Sequence, residues 1–202
     1  MRVRVHSALL TTQHQNLIAD LADYGHKAWA DDVEVNGVDQ SSARDAIKKH
    51  IRTELRTNQN GFCAYCGLKM REKNAHIDHV APKKRFKNQT FNARNLVLTC
   101  YRCNFESKST FNPVARAEGE YEQWEFCFVH PILDDPRLHI SRDKYFVWIE
   151  SITEKGATTI DKFGLVEPTM IEERAKQAMF DNFRSPPQEL LDLLEKVESY
   201  VP

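Results

Sequence analysis

Apolar positions return at helical spacing in "QHQNLIADLADYGHKAWA" (13–30), at Leu17, Ile18, Leu21, Ala22 and Trp29. That spacing predicts a helix with one buried stripe. "NGVDQSS" (36–42) interrupts with turn chemistry. Ser41 or Ser42 can cap the following helix, "ARDAIKKHIRTELRTN". Its stripe is Ala46, Ile47, Ile51 and Leu55; Arg44, Lys48, Lys49, Arg52 and Arg56 cover its other faces. The pattern then shortens. "AHIDHVAP" predicts a strand ended by Pro82, residues 83–92 a basic loop, "ARNLVLTC" a second strand, and "YRCNFESKSTF" the start of a helix. Downstream, "QWEFCFVHP" (123–131) and "KYFVWIESI" (144–152) read as strands joined by the loop "HPILDDPRLHI". "ATTIDKFGL" predicts a short helix closed at Gly164, "PTMIEERAKQAMFDNF" a helix with Pro168 near its first turn, and "PPQELLDLLEKVESY" a last amphipathic helix. The mixture predicts an α+β protein without internal repeats or a clear linker.

The chain has 202 residues, 41 % of them hydrophobic, enough for one real core. No run of about 18 apolar residues is present, and "MRVRVHSALLTTQHQ" lacks the apolar length of a signal peptide. A soluble, cytoplasmic protein with no membrane partner is expected. The net charge of −1 conceals an asymmetry: Arg44 to Arg116 carries 16 Lys/Arg against 5 Asp/Glu, and the remainder 12 against 24. A cationic middle between acidic flanks draws an anionic ligand. Solvated helix faces are the plainer explanation of such charge.

Four of the five cysteines form two C-x-x-C pairs, Cys63/Cys66 and Cys100/Cys103. In a reducing compartment that spacing favours metal over disulfide. Four thiolates are the set a closed structural Zn²⁺ requires, and "FCAYCGLKM" reads as a knuckle with Gly67 just past the second thiol. Between the pairs lie Asp78-His79 and Asn95, and Asn104 follows directly on Cys103. Phosphodiester hydrolysis needs a divalent ion, a base with pKa near neutrality and a group that orients the base. Strand alternation puts Asp78 and His79 on opposite faces, so a bend is needed for both to serve one site. Asp78 and Asn104 offer hard oxygen ligands, and Asn95 a hydrogen bond that fixes geometry.

The order C-A-Y-C-G, I-D-H-V-x-P, N-L-V-L-x-C-x-x-C-N-x-x-x-K resembles the zinc-bearing HNH endonucleases, the ββα-metal nucleases, over Phe62 to about Lys108. The resemblance implies a zinc-stapled ββα core with flanking helices and a few extra strands. It implies His79 as general base, Asp78 and Asn104 as ligands of a catalytic Mg²⁺ or Mn²⁺, and Asn95 as the orienting asparagine. Asn104 stands where many relatives carry histidine, which favours a hard, weakly held ion. Cleavage leaving 5′-phosphate ends follows from the family chemistry. Lys83, Lys84, Arg85 and Lys87 are placed to clamp a duplex backbone, and Lys108 either touches phosphate or is solvated. DNA, double-stranded DNA in particular, is favoured over RNA by the resemblance alone.

His76 reads as a half-exposed strand histidine, with substrate contact as the alternative. His130, Asp134 and Asp135 read as a turn with aspartates capping amides, with a second metal site as the alternative; His139 closes the same loop. Cys127 reads as a core thiol. The outer segments are similar to small HNH proteins of bacterial anti-phage systems, the Septu-type and retron-associated nucleases. That similarity implies an ABC/SMC-type ATPase partner. The expected organisation is an N-terminal helical region (1–58), the nuclease core (59–116) and a C-terminal α/β extension (117–202), packed as one unit. The competing reading is a non-catalytic zinc module that binds nucleic acid or a protein partner.

Overall fold

The computed structural model describes residues 10–21, 24–182 and 188–198. Helix α1, Thr12–Asp20, begins behind Thr11, whose hydroxyl accepts the His14 amide. A second short helix, α2, Lys27–Ala30, carries the buried Trp29. The single helix expected over 13–30 is therefore two pieces, and Gly25 in the break has a φ of 54°. Ala22, together with Pro186, Pro187, Ser199 and Tyr200 of the expected last helix, lies outside the described residues.

Residues 36–42 are not simply a loop. Strands β1 (Glu34–Val35) and β2 (Val38–Asp39) form a hairpin around Asn36 and Gly37, at φ 53° and 77°. Asn-Gly suits a turn that needs positive φ at both central residues. Helix α3, Ser41–Asn58, follows. Neither serine caps it: the Asp39 carboxylate accepts the Ser41 amide at 3.0 Å and its hydroxyl at 2.6 Å. Ile47, Ile51 and Leu55 are buried as expected, but Ala46 is exposed. Arg44 is buried instead, its guanidinium bonded to the Asp31 carbonyl and the Asp45 carboxylate.

At the centre, β3 (Ala75–His79) pairs antiparallel with β4 (Leu96–Cys100), from Ala75 opposite Cys100 to His79 opposite Leu96. The chain then enters a π-helical segment, Arg102–Lys108, closed by the Ser109 amide on the Asn104 carbonyl at 2.8 Å. Two strands and a helical segment thus form the expected ββα unit. α3 packs against β4, and Gln59 behind it clasps Leu98, giving its amide to the Leu98 carbonyl and accepting the Leu98 N–H, both at 2.7 Å. This side-chain amide satisfies backbone groups that an edge strand would otherwise leave open.

The strands expected over 123–131 and 144–152 are much shorter. β5 (Val114–Arg116) pairs with β6 (Glu125–Phe126), and β7 (Ile140–Arg142) with β8 (Ile149–Ser151). Side chains interrupt the longer runs. The Asp143 carboxylate takes the Tyr145 and Trp148 amides and folds 143–148 into a turn. Helix α4, Glu154–Lys162, starts at the Thr153 cap and is followed by Gly164 at φ 55°. Helix α5, Pro168–Asn182, has proline at its first position, and α6 spans Gln188–Glu198. Among the described residues, no helix is long and apolar enough to cross a membrane.

Candidate active site and metal centre

The four paired cysteines meet. Their sulfurs all lie within 4.8 Å of one another, and the Cys66 and Cys100 sulfurs are 3.9 Å apart. A tetrahedral ion with Zn–S bonds of about 2.3 Å requires sulfurs about 3.8 Å apart, so the cluster fits a closed four-sulfur site. Local folding explains the approach. The knuckle closes through Gly67 N–H on the Cys63 carbonyl at 3.0 Å, and Cys63 N–H on the Leu68 carbonyl at 2.9 Å. Gly67 sits at φ 73°, where a Cβ would collide with Phe146. The knuckle is tied to β4 by the Ala64 amide on the Leu98 carbonyl at 3.0 Å.

Electrostatics also fits a cation. Hydrogen bonding from Cys103 and the other thiols pulls Cys100 below its ordinary pKa. Hydrogen bonding to Cys100 pushes Cys66 and Cys103 well above theirs. The sulfurs cannot all ionise together without a central positive charge. Arg174 of α5, 2 % exposed, is an electrostatic neighbour of Cys66, and its Nη1 has no hydrogen-bond partner. A buried guanidinium beside a four-thiolate complex, itself a dianion, is consistent with that donor set.

From the cluster the ribbon carries Asp78 and His79 into the core. Asp78 is buried with both oxygens engaged: Oδ2 accepts from the Tyr65 hydroxyl at 2.6 Å, and Oδ1 from Lys108 Nζ at 3.0 Å. Lys108 also donates to the His79 carbonyl at 2.8 Å. This lysine is therefore neither a solvated nor a surface phosphate contact: it is 3 % exposed. Tyr65, between the first two thiols, is stacked on Phe163 at 4.2 Å, and burial followed by the Asp78 charge raises its pKa well above normal. It thus remains a donor. Each Asp78 oxygen keeps one lone pair for a further partner.

His79 turns the other way. Its Nε2 lies 2.9 Å from the Thr90 carbonyl and its ring meets the edge of Trp29 at 4.6 Å. A carbonyl only accepts, so Nε2 carries the hydrogen and Nδ1 holds the lone pair. Burial, then the Lys83 charge, lowers the His79 pKa to about 3, keeping the imidazole neutral. Opposite faces, as strand alternation requires, therefore lead to different partners, with Lys108 bridging them.

Asn95 is fully buried and holds the loop between the strands. Oδ1 accepts the Ala81 amide and the Tyr121 hydroxyl, both at 2.7 Å; Nδ2 donates to the Ala81 carbonyl at 3.1 Å and the Gln89 carbonyl at 2.9 Å. Ala81 follows His79 by two residues and Gln89 precedes Thr90, so this one side chain ties both His79 neighbours together. Tyr121 continues to His130, whose Nε2 is 3.0 Å away. His130 Nδ1 accepts the Ile132 and Leu133 amides, both at 3.1 Å, so its Nε2 is the donor. Asp134 accepts the His130 amide and Asp135 the Arg137 amide. These are the expected turn caps; the Asp134 carboxylate also pairs with Lys155 at 2.9 Å.

Asn104 lies half-buried on the π-helical segment, four residues before Lys108. Among the described residues its side chain makes no hydrogen bond, and none joins it to Asp78 or His79. Lys83 is half-buried near Asp78 and Lys108, and burial lowers its pKa. Lys84, Arg85 and Lys87 are exposed on the same loop. Tyr65, Thr90 and Tyr121 carry no signal of their own in the sequence, and Trp29 signals only a helical apolar stripe. Tyr65 sits inside a thiol motif that explains its neighbours, and the other three become partners only through tertiary folding.

Residues 63–109 match the model of the HNH endonuclease family. The chain is 28 % identical over 116 residues to Septu protein PtuB of Bacillus thuringiensis, covering 56 % of this chain and 40 % of that protein. It is 26 % identical over 184 residues to the candidate HNH endonuclease of retron Vc95 from Vibrio cholerae serotype O1 biovar El Tor, covering 84 % of this chain and 82 % of that one. The chain therefore spans less than half the length of the first relative. The cysteine frame and the strand pair it closes lie within the matched span, and residues 63–109 thus form an HNH endonuclease domain.

Proposed function

We propose that this chain is a metal-dependent endonuclease that hydrolyses nucleic-acid phosphodiesters, DNA in particular, in the cytoplasm. We infer further that it serves as the nuclease subunit of an anti-phage system with an ATPase partner. One observation carries the hydrolytic reading: a buried, neutral His79 whose Nε2–H is committed to Thr90, leaving Nδ1 as base. The choice of DNA and of an ATPase partner rests on likeness to the Septu and retron proteins.

In this reading Cys63, Cys66, Cys100 and Cys103 would hold a structural Zn²⁺, and Asp78 and Asn104 would hold Mg²⁺ or Mn²⁺. That ion would supply charge neutralisation at the phosphate and leaving oxygen. His79 Nδ1 accepts a proton from water, and the hydroxide attacks phosphorus as the bond to the 3′ oxygen breaks, leaving a 5′-phosphate. The nearby phosphate charge raises the basicity of His79 when substrate binds. Thr90 fixes its tautomer, and Asn95 fixes the loop that presents Thr90. Lys83, Lys84, Arg85 and Lys87 hold the backbone.

The Lys108–Asp78 ion pair favours a second reading, a zinc-stapled binding module without catalysis, because the carboxylate is already neutralised. Plasmid cleavage separates the two. The nuclease reading expects cutting in Mg²⁺ or Mn²⁺ and none in EDTA, alone or with a co-encoded ATPase. Intact plasmid under every condition, with DNA still bound, would establish the module instead.

A further inference from the structure

Strand β3 carries more than the acid and the base. His76 is two residues before Asp78, hence on the same strand face and about 7 Å away along the chain. Two rings from the π-helical segment and its entry close on it. Phe105 meets His76 at 5.0 Å between centroids with planes at 87°, and Tyr101 meets it at 6.1 Å. Tyr101 and Phe105 are themselves 5.0 Å apart. Neither belongs to the hydrophobic core; they are 55 % and 49 % exposed. The segment that buries Lys108 against Asp78 therefore leaves two aromatic faces open to solvent. Arg52 of α3 borders the cluster, bonded to the Ala75 carbonyl beside His76. The surrounding sequence, Arg44 to Arg116, holds 16 cationic against 5 anionic residues.

We propose that His76, Tyr101 and Phe105 form a nucleobase-stacking subsite, one nucleotide from the phosphate that reacts beside Asp78 and His79, and that the strand bound there is unpaired. The inference deepens the nuclease reading and rests on it for the position of the phosphate. The Arg52 guanidinium at its border suits a phosphate-bearing strand, whereas an apolar protein surface would leave that charge without an anion. Bases in an intact duplex are stacked on both faces, so reaching the rings requires unpairing. An unpaired base meets no such cost and gains affinity by stacking on an aromatic face. The subsite therefore selects strand state, and it reads no base identity.

The test uses the full zinc-loaded chain in EDTA, with a short oligonucleotide carrying a fluorescent adenine analogue. The analogue is presented once in a single strand, as DNA and as RNA, and once paired in a duplex. Wild-type protein should quench it in at least one single-stranded form and not in the duplex. Tyr101→Leu combined with Phe105→Leu, both half-exposed and still apolar, should abolish quenching and weaken single-strand binding about 10–100-fold. Duplex affinity and zinc content should change less than about twofold. Undiminished single-strand binding, or an equal loss on duplex, would overturn the proposal. Quenching without cleavage in Mg²⁺ or Mn²⁺, alone and with the co-encoded ATPase, would keep the subsite and refute hydrolysis; cleavage without quenching would remove the subsite alone.

Discussion

Replacing Asn95 with aspartate changes one amide nitrogen to oxygen and almost nothing in shape. In the native site Nδ2 faces two carbonyl oxygens, Ala81 at 3.1 Å and Gln89 at 2.9 Å, inside a fully buried pocket. In Asn95→Asp a carboxylate oxygen meets those carbonyls. Two hydrogen bonds worth about 1 kcal/mol each disappear, and an unpaired buried charge costs about 3–5 kcal/mol. Protonation offers relief, because the acid form can donate to one carbonyl. The new carboxyl is therefore pushed well above the usual ~3.9.

The sign follows. A folded-state pKa above the unfolded one means the native variant binds more protons. Its extra instability is smallest below about pH 4 and grows by up to about 1.4 kcal/mol per unit as pH rises toward the folded value. The native protein runs the opposite way. Burial lowers His79 and His130 to about 3, so each stabilises the fold above pH ~6.5 and withdraws that support as pH falls toward 3. Urea unfolding of both zinc-loaded proteins at pH 5 and pH 8 checks this. The gap between wild type and Asn95→Asp should be wider at pH 8, by about 1–3 kcal/mol. A gap independent of pH would show that Asn95 does not donate to these carbonyls and does not hold Thr90 in place.

Other outcomes can be measured alongside. Tyr121→Phe strands the His130 Nε2–H and removes one donor from Asn95; it should cost about 2 kcal/mol in urea unfolding and lower kcat with KM unchanged. Lys108→Met frees the Asp78 carboxylate from its ammonium: stability should fall by about 3 kcal/mol, while Mn²⁺ affinity by calorimetry should rise. Stripping zinc with a strong chelator, or Cys66→Ser, should unfold residues around the β3–β4 ribbon, seen as lost amide-exchange protection at Leu96 to Cys100.

The sequence made the metal frame legible because two C-x-x-C pairs have few other uses in a reducing compartment. It also made legible the strand pair: both five-residue strands lie inside the stretches read as strands, "AHIDHVAP" ending at Pro82 and "ARNLVLTC" ending at Cys100. Helices α4 and α5 announced themselves through Gly164 and Pro168. What stayed hidden were contacts that only tertiary folding makes. Lys108 looks like any helix lysine until the π-helical segment brings it to Asp78 at 3.0 Å. Arg44 occupies a buried position in α3 because the Asp31 carbonyl and Asp45 satisfy it. Aromatic runs at 123–131 and 144–152 promised long strands, but Asp143 and His130 capture backbone amides there and fold the chain into turns. Tyr121 carries no motif, and its role comes from lying against Asn95.

If His79 is the base, hydrolysis ends when its imidazole is removed while the architecture of the site survives. Oligonucleotide cleavage in Mg²⁺ or Mn²⁺ by His79→Ala, with zinc content and nucleic-acid affinity measured on the same sample, tests it most directly. One zinc per chain, affinity within about twofold of wild type and a cleavage rate lower by about 10²–10⁴ are expected. Cleavage at the wild-type rate by a zinc-loaded His79→Ala protein would contradict it.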